Sequence, residues 1–127
     1  MSGPVFAALA ARPELAAHYA AFREAAHQAL DPALVAMVRQ AIAAVHGCAD
    51  PEAAPIDEAA LDAGTQACLA YARRMPFEHT AITDAEAAAV VAALGEPGYV
   101  AFSVVAALAD AECRAGLVGL PELVEQG

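Results

Sequence analysis

Leu34-Val35-Ala36-Met37-Val38-Arg39-Gln40-Ala41-Ile42-Ala43-Ala44-Val45-His46-Gly47-Cys48 sets the reading of the chain. Leu34, Val38, Ala41, Ile42 and Val45 recur at three- and four-residue spacing, the apolar stripe of a helix packed on a core. Asp31-Pro32 supplies an N-cap and then a proline at the first helical position, where no backbone N–H is needed. Gly47 is placed to end the helix. Cys48 then stands at the helix exit, from which a thiol is readily delivered to a pocket.

The same punctuation repeats on both sides. Val5 to Ala11 predicts a short first helix, stopped at Arg12-Pro13. Pro13 opens a second helix, Glu14 to Ala29, with Leu15, Tyr19 and Phe22 at helical spacing. Asp50-Pro51 repeats the cap-plus-proline signal and predicts another helical turn. Pro55 resets the chain, and Ile56 to Met75 reads as a long helix carrying Leu61, Cys68, Leu69 and Ala72, broken at Met75-Pro76-Phe77. Thr83 and Glu86 form a capping box for a helix through Leu94, ended by Gly95. A last helix runs from Tyr99 to Val118 with Phe102, Val105, Ala106 and Ala109 inward, and Gly119 and Pro121 release the tail. Strand signals are absent. The expectation is one all-α domain over residues 1–127, a bundle of five or six helices.

Apolar residues make up 60% of the 127, and mean hydropathy is +0.48. An ordinary soluble domain has about 45–50%. Much of the excess is Ala, a strong helix former. So small a globule has too much surface to hide it all, which predicts a homo-oligomer. The net charge is −10, from 16 acidic residues against six basic ones, all Arg. That balance leaves no basic patch for nucleic acid or an anionic membrane. It suits an acidic surface that keeps an apolar assembly in solution. Three Cys at wide spacing form no disulfide framework. Met1-Ser2-Gly3-Pro4 lacks the pattern of a signal peptide, and the uncharged run Pro97 to Ala109 is too short to span a bilayer. The expected compartment is a reducing cytoplasm.

Cys48 is the first candidate for chemistry. A nucleophilic thiol needs a nearby cation, a helix N-terminus or a second Cys. Locally only His46 can help, as base or imidazolium partner, while Asp50 disfavours a thiolate. The competing reading is a small buried hydrophobe. His18, His27, His46 and His79 have no metal-ligand spacing, so neither metal nor cofactor is expected. Asp110, Glu112 and Arg114 line a polar site, or Asp110 and Arg114 make a surface ion pair at i, i+4.

These residues resemble the carboxymuconolactone decarboxylase superfamily, in particular its alkylhydroperoxidase D-like branch. Leu34-Val35-Ala36-Met37-Val38-Arg39 and His46-Gly47-Cys48 match most of that family's core helix. Ile56-Asp57-Glu58-Ala59-Ala60-Leu61 through Cys68-Leu69-Ala70-Tyr71-Ala72 is similar to its following helix. Thr83-Asp84 to Leu94 and the last helix, with Arg114, also fit. The resemblance implies an oligomeric helical bundle, commonly a trimer or larger ring. The family's relay uses a Glu, a Cys-x-x-Cys pair and a His. Here Ala36 stands for the Glu, Pro51 for the second Cys and Pro55 for the His, and only Cys48 is kept.

The resulting expectation is a relative without the redox Cys pair, which uses the family pocket for a small organic molecule as a binder or a non-redox lyase or isomerase. His46, Cys48 and His79 are its candidate residues. The alternatives are a one-Cys thiol peroxidase at Cys48, resolved by an external thiol, and a structural or interaction subunit without an active site.

Overall fold

The computed structural model describes residues 2–48 and 50–126; Met1, Ala49 and Gly127 of the expected domain lie outside them. Every regular element among the described residues is helical. In chain order these are α1 (Pro4–Ala8), α2 (Pro13–Gln28), α3 (Pro32–Val45), a 3-10 turn at Glu58–Ala60, α4 (Ala63–Glu78), a second 3-10 turn at His79–Ala81, α5 (Asp84–Leu117) and α6 (Leu120–Gln126). The all-α expectation holds.

The core lies where α3, α4 and α5 meet. From α3 come Leu34, Val35, Val38, Ala41 and Ile42; from α4, Cys68, Leu69 and Ala72; from α5, Val90, Phe102, Val105, Ala106 and Ala109. Two capped starts hold these helices in register. Asp31 Oδ1 accepts from Ala33 N at 2.9 Å. At α5 the Thr83 side chain accepts from Glu86 N while Glu86 reaches back to Thr83 N, the reciprocal box read from sequence. Val45, the last member of the α3 stripe, is at the margin of exposure.

Several boundaries differ from expectation, each for a physical reason. α1 closes at Ala8 rather than Ala11. Asp50-Pro51 starts no helix, because Asp50 Oδ1 takes the N–H of Glu52 at 2.9 Å and closes a turn instead. The following helix begins not at Ile56 but at Ala63, where Asp62 caps Thr65 N at 2.7 Å. Pro76 does not break α4; it sits buried two residues before the helix ends, and its carbonyl accepts from Arg114 Nη2 at 2.6 Å. Gly95, non-helical at φ 76° and ψ 167°, does end the first half of α5 as read from sequence, but the second half resumes at once rather than at Tyr99. Pro97 falls in the first turn of that second half, where its missing N–H costs nothing. Pro121 does the same for α6, so the tail is helical rather than released.

The largest correction concerns α2. It buries no residue fully, and Leu15 and Phe22, the apolar residues whose spacing marked the helix, are 47% and 56% exposed. α2 docks on α5 through its polar face, with Tyr19 and Arg23 on Glu112. Phe102→Ala should therefore cost about 3–5 kcal/mol in urea unfolding, whereas Leu15→Ala should cost less than about 0.5 kcal/mol.

Candidate functional site

Three helices turn stripes of side chains toward one open cleft of about 1040 Å³. α2 gives Tyr19, Arg23 and His27, four residues apart and so on one face. α3 gives Ala36, Arg39, Gln40 and Ala43, and α5 gives Ala109, Glu112, Cys113 and Gly116. Phe6 of α1 closes one end, with its ring edge-on to Tyr19 at 5.0 Å between centroids. The segment holding Cys48, Asp50 and Ala53 forms another wall. Small residues on α3 and α5 leave the space open.

Glu112 organises the polar wall. Its carboxylate accepts from Tyr19 Oη at 2.9 Å and from Arg23 Nε at 3.1 and 3.2 Å, and Arg39 Nη2 lies 4.0 Å away. Burial pushes the carboxyl up, but the bonds from Arg23 and Tyr19 and the charges of Arg23 and Arg39 outweigh it and hold Glu112 below its ordinary value. Tyr19 is pushed up to about 12 by burial and by the Glu112 carboxylate that accepts its proton. Arg23 is raised chiefly by the same bond. Burial and then the charges of Arg23 and Arg39 depress His27, so its ring is neutral at pH 7. The cleft thus holds an ionised carboxylate, a neutral imidazole and a half-exposed guanidinium, Arg39.

Cys48 is placed by its backbone. Gly47, at φ 73°, bends α3 to a close, with Cys48 N donating to Ala43 O at 2.9 Å and Gly47 N to Ala44 O at 3.1 Å. This closure leaves Cys48 exposed at the cleft. It is not isolated. Cys113 lines the same cleft. Burial pushes its thiol up to about 12, helped by the neighbouring Cys48 thiol and by the charges of Cys48, Asp110 and Glu112. Cys68 is fully buried in the core, as a hydrophobe.

The three residues singled out from sequence are not brought together. His46 turns away from the cleft: its ring is 2% exposed, and Nε2 meets Asp110 Oδ1 at 2.6 Å. That nitrogen is taken up by Asp110, and His46 is not among the residues lining the cleft with Cys48. His79 lies exposed on the 3-10 turn His79–Ala81 and does not line the cleft. Asp110 does pair with Arg114 at 3.0 Å, but it shares that oxygen with His46, while Glu112 points into the cleft. Among the described residues no group of His, Cys, Asp and Glu is arranged to hold a metal.

Sequence reasoning named Glu112 for a polar site but missed His27 and Cys113 as cleft residues. The signal for α2 was its polar i, i+4 stripe of Tyr19, Arg23 and His27, masked by the more conspicuous Leu15 and Phe22. No family model, curated protein or solved structure matches the chain.

The depressed groups set a pH dependence. Glu112 stays ionised in the folded protein at pH values where the unfolded chain takes up a proton. Its stabilisation is complete above its ordinary value of 4.5 and is lost as pH falls through its lower folded value. His27, depressed from 6.5, acts in the same direction at higher pH. Urea midpoints should fall in two stages on acidification. His27→Gln should remove the stage that begins near pH 6.5. Glu112→Gln should lower the neutral plateau, by stranding Arg23, and flatten the acid stage, which Asp62 and Glu86 share.

Proposed function

We propose that this chain is an alkylhydroperoxidase D-like protein that lacks the family relay and uses its cleft for a small organic acid. It acts on that molecule as a binder or as a non-redox lyase or isomerase. The observation that carries this reading is the combination of neutral His27, ionised Glu112 and half-exposed Arg39 on the walls of one open cleft. Arg39 is not saturated by Glu112, which is 4.0 Å away, and its planar fork suits a ligand carboxylate. The apolar walls, Phe6, Ala36 and Ala43, fit a carbon skeleton.

For catalysis the reading assigns proton transfer to His27, which is uncharged at neutral pH and so available as a base. Tyr19 is committed to Glu112 and holds its proton to about 12, so it serves as a fixed wall rather than a base. An open cleft in this place favours these roles over a structural subunit, for which the volume should be filled by side chains.

Thermal-shift and calorimetric titration with succinate, adipate and benzoate tests the proposal. At least one should stabilise the protein, and Arg39→Ala should weaken it about tenfold or more, the loss of one charge-assisted contact. If none of these acids binds, or if Arg39→Ala binds as well as the parent, the reading fails.

The same kinship proposes a homo-oligomer, a trimer or larger. Leu117, Val118, Leu123 and Val124, all exposed at the junction of α5 and α6, supply apolar surface for it. Sedimentation equilibrium should give a mass of at least three chains, and Leu117→Glu with Leu123→Glu should yield monomers. A monomeric parent at micromolar concentration would rule the assembly out.

A further inference from the structure

Cys48 and Cys113 lie far apart in the sequence, yet both line the cleft, near enough for their side chains to influence each other. Two independent constraints hold them there. The Gly47 closure fixes the backbone of Cys48. The His46–Asp110 bond, 2.6 Å long, ties the exit of α3 to the turn of α5 that carries Cys113 three residues later. Cys48 is exposed, Cys113 is partly covered, and both are reduced. The remaining thiol, Cys68, is sealed in the core.

We propose that Cys48 and Cys113 form a thiol–disulfide exchange site: Cys48 attacks a low-molecular-weight disulfide in the cleft, and Cys113 closes an intramolecular bridge from the α3 exit to α5. The site goes beyond the ligand role above and stands whatever acid the cleft takes.

The exchange balances without further reactants. Cys48 gives up its proton, and its sulfur attacks one sulfur of the incoming disulfide. The S–S bond breaks, and one thiolate leaves and takes up the proton. Cys113 then gives up its proton and its sulfur displaces the second thiolate from Cys48, which is protonated in turn. Two cysteine thiols become one disulfide, and the small disulfide is reduced to two thiols. A dithiol reductant reverses the sequence. The order follows from exposure, since Cys48 faces the cleft and Cys113 keeps its proton to about 12. Part of that hold comes from Cys48 itself, and it disappears once Cys48 is in the mixed disulfide.

The test equilibrates the full-length protein at neutral pH with mixtures of oxidised and reduced glutathione, followed by acid quench, alkylation and digestion with a protease that cuts after Glu. Cuts at Glu24, Glu52, Glu58, Glu78, Glu112 and Glu122 put Cys48, Cys68 and Cys113 in separate peptides. The expected product is peptide 25–52 joined to peptide 113–122 with two hydrogens lost, in monomeric chains, and Cys68 still alkylated. Cys113→Ser should stop at a glutathione adduct on Cys48, and Cys48→Ser should leave Cys113 unreacted over the same interval. The wild-type map decides the matter even if a variant fails to fold. Separate alkylated peptides at every ratio overturn the proposal. So does a glutathione adduct on Cys48 that Cys113 does not displace, a Cys48–Cys68 link, or a bridge found only between chains.

Discussion

The buried ring of His46, gripping Asp110 at 2.6 Å, joins three helix ends into one polar knot. Asp110 also accepts from Arg114 Nε at 3.0 Å, and Arg114 Nη2 donates to the carbonyl of Pro76 at 2.6 Å. The next residue, Phe77, lies edge-on to His46, with centroids 5.0 Å apart, and under the Arg114 guanidinium at 5.1 Å. The exit of α3, the last turn of α4 and the second half of α5 are thereby held as a unit. The knot also explains why α4 runs through Pro76, since the carbonyl there is satisfied from a neighbouring helix and Phe77 is seated between two others. A histidine read from sequence as a helper for Cys48 is instead what fixes where Cys48 can be.

Because the knot uses one side of α5, the other side is free to line the cleft. Asp110 and Arg114, four apart, meet the ends of α3 and α4; Ala109, Glu112, Cys113 and Gly116 line the cleft. The alanine content of the chain acquires a purpose here. Ala36, Ala43, Ala109 and Gly116 all line the cleft, and their small side chains keep its walls shallow. α2 then spans the gap, held by Tyr19 and Arg23 on Glu112 rather than by buried apolar area. A helix attached mainly through a charge cluster responds to pH and to bound anions far more than one attached by a core stripe, since both act on that cluster.

Legibility in the sequence tracks the range of each signal. The Phe102-Val105-Ala106-Ala109 stripe, the α3 stripe and the Thr83–Glu86 box are local and periodic, and all three stand in the fold. Prolines misled where position within a helix mattered more than presence: Pro97 and Pro121 sit in first turns and Pro76 in a last turn. The spacing of Leu15, Tyr19 and Phe22 marked α2 as a helix but not which face packs, and Leu15 and Phe22 face out. The meeting of Cys48 with Cys113, and the capture of His46 by Asp110, are tertiary events with no local signature. Helical spacing does place Asp110 and Cys113 on neighbouring lines of one helix, but nothing in sequence says that α3 ends beside them.

Under the proposed kinship, the missing relay residues read differently once the helices are packed. The family's carboxylate is absent at Ala36, yet Ala36 and Glu112 line the same cleft, and Glu112 brings an ionised carboxylate there from α5. The second thiol is absent at Pro51, yet Cys113 supplies one beside Cys48. The imidazole is absent at Pro55, yet His27 lines the cleft from α2, neutral at pH 7. Each residue type that the proposed kinship would place on the core segment stands on another helix facing the same space. A catalytic group is defined by where its atoms sit and by what shifts its protonation, not by its distance along the chain. Loss of a contiguous motif is therefore weak evidence for loss of chemistry in a bundle whose cleft is walled by several helices. In this chain the surroundings of Cys48 are set less by its neighbours in sequence than by the thiol and carboxylate that α5 brings to the same cleft.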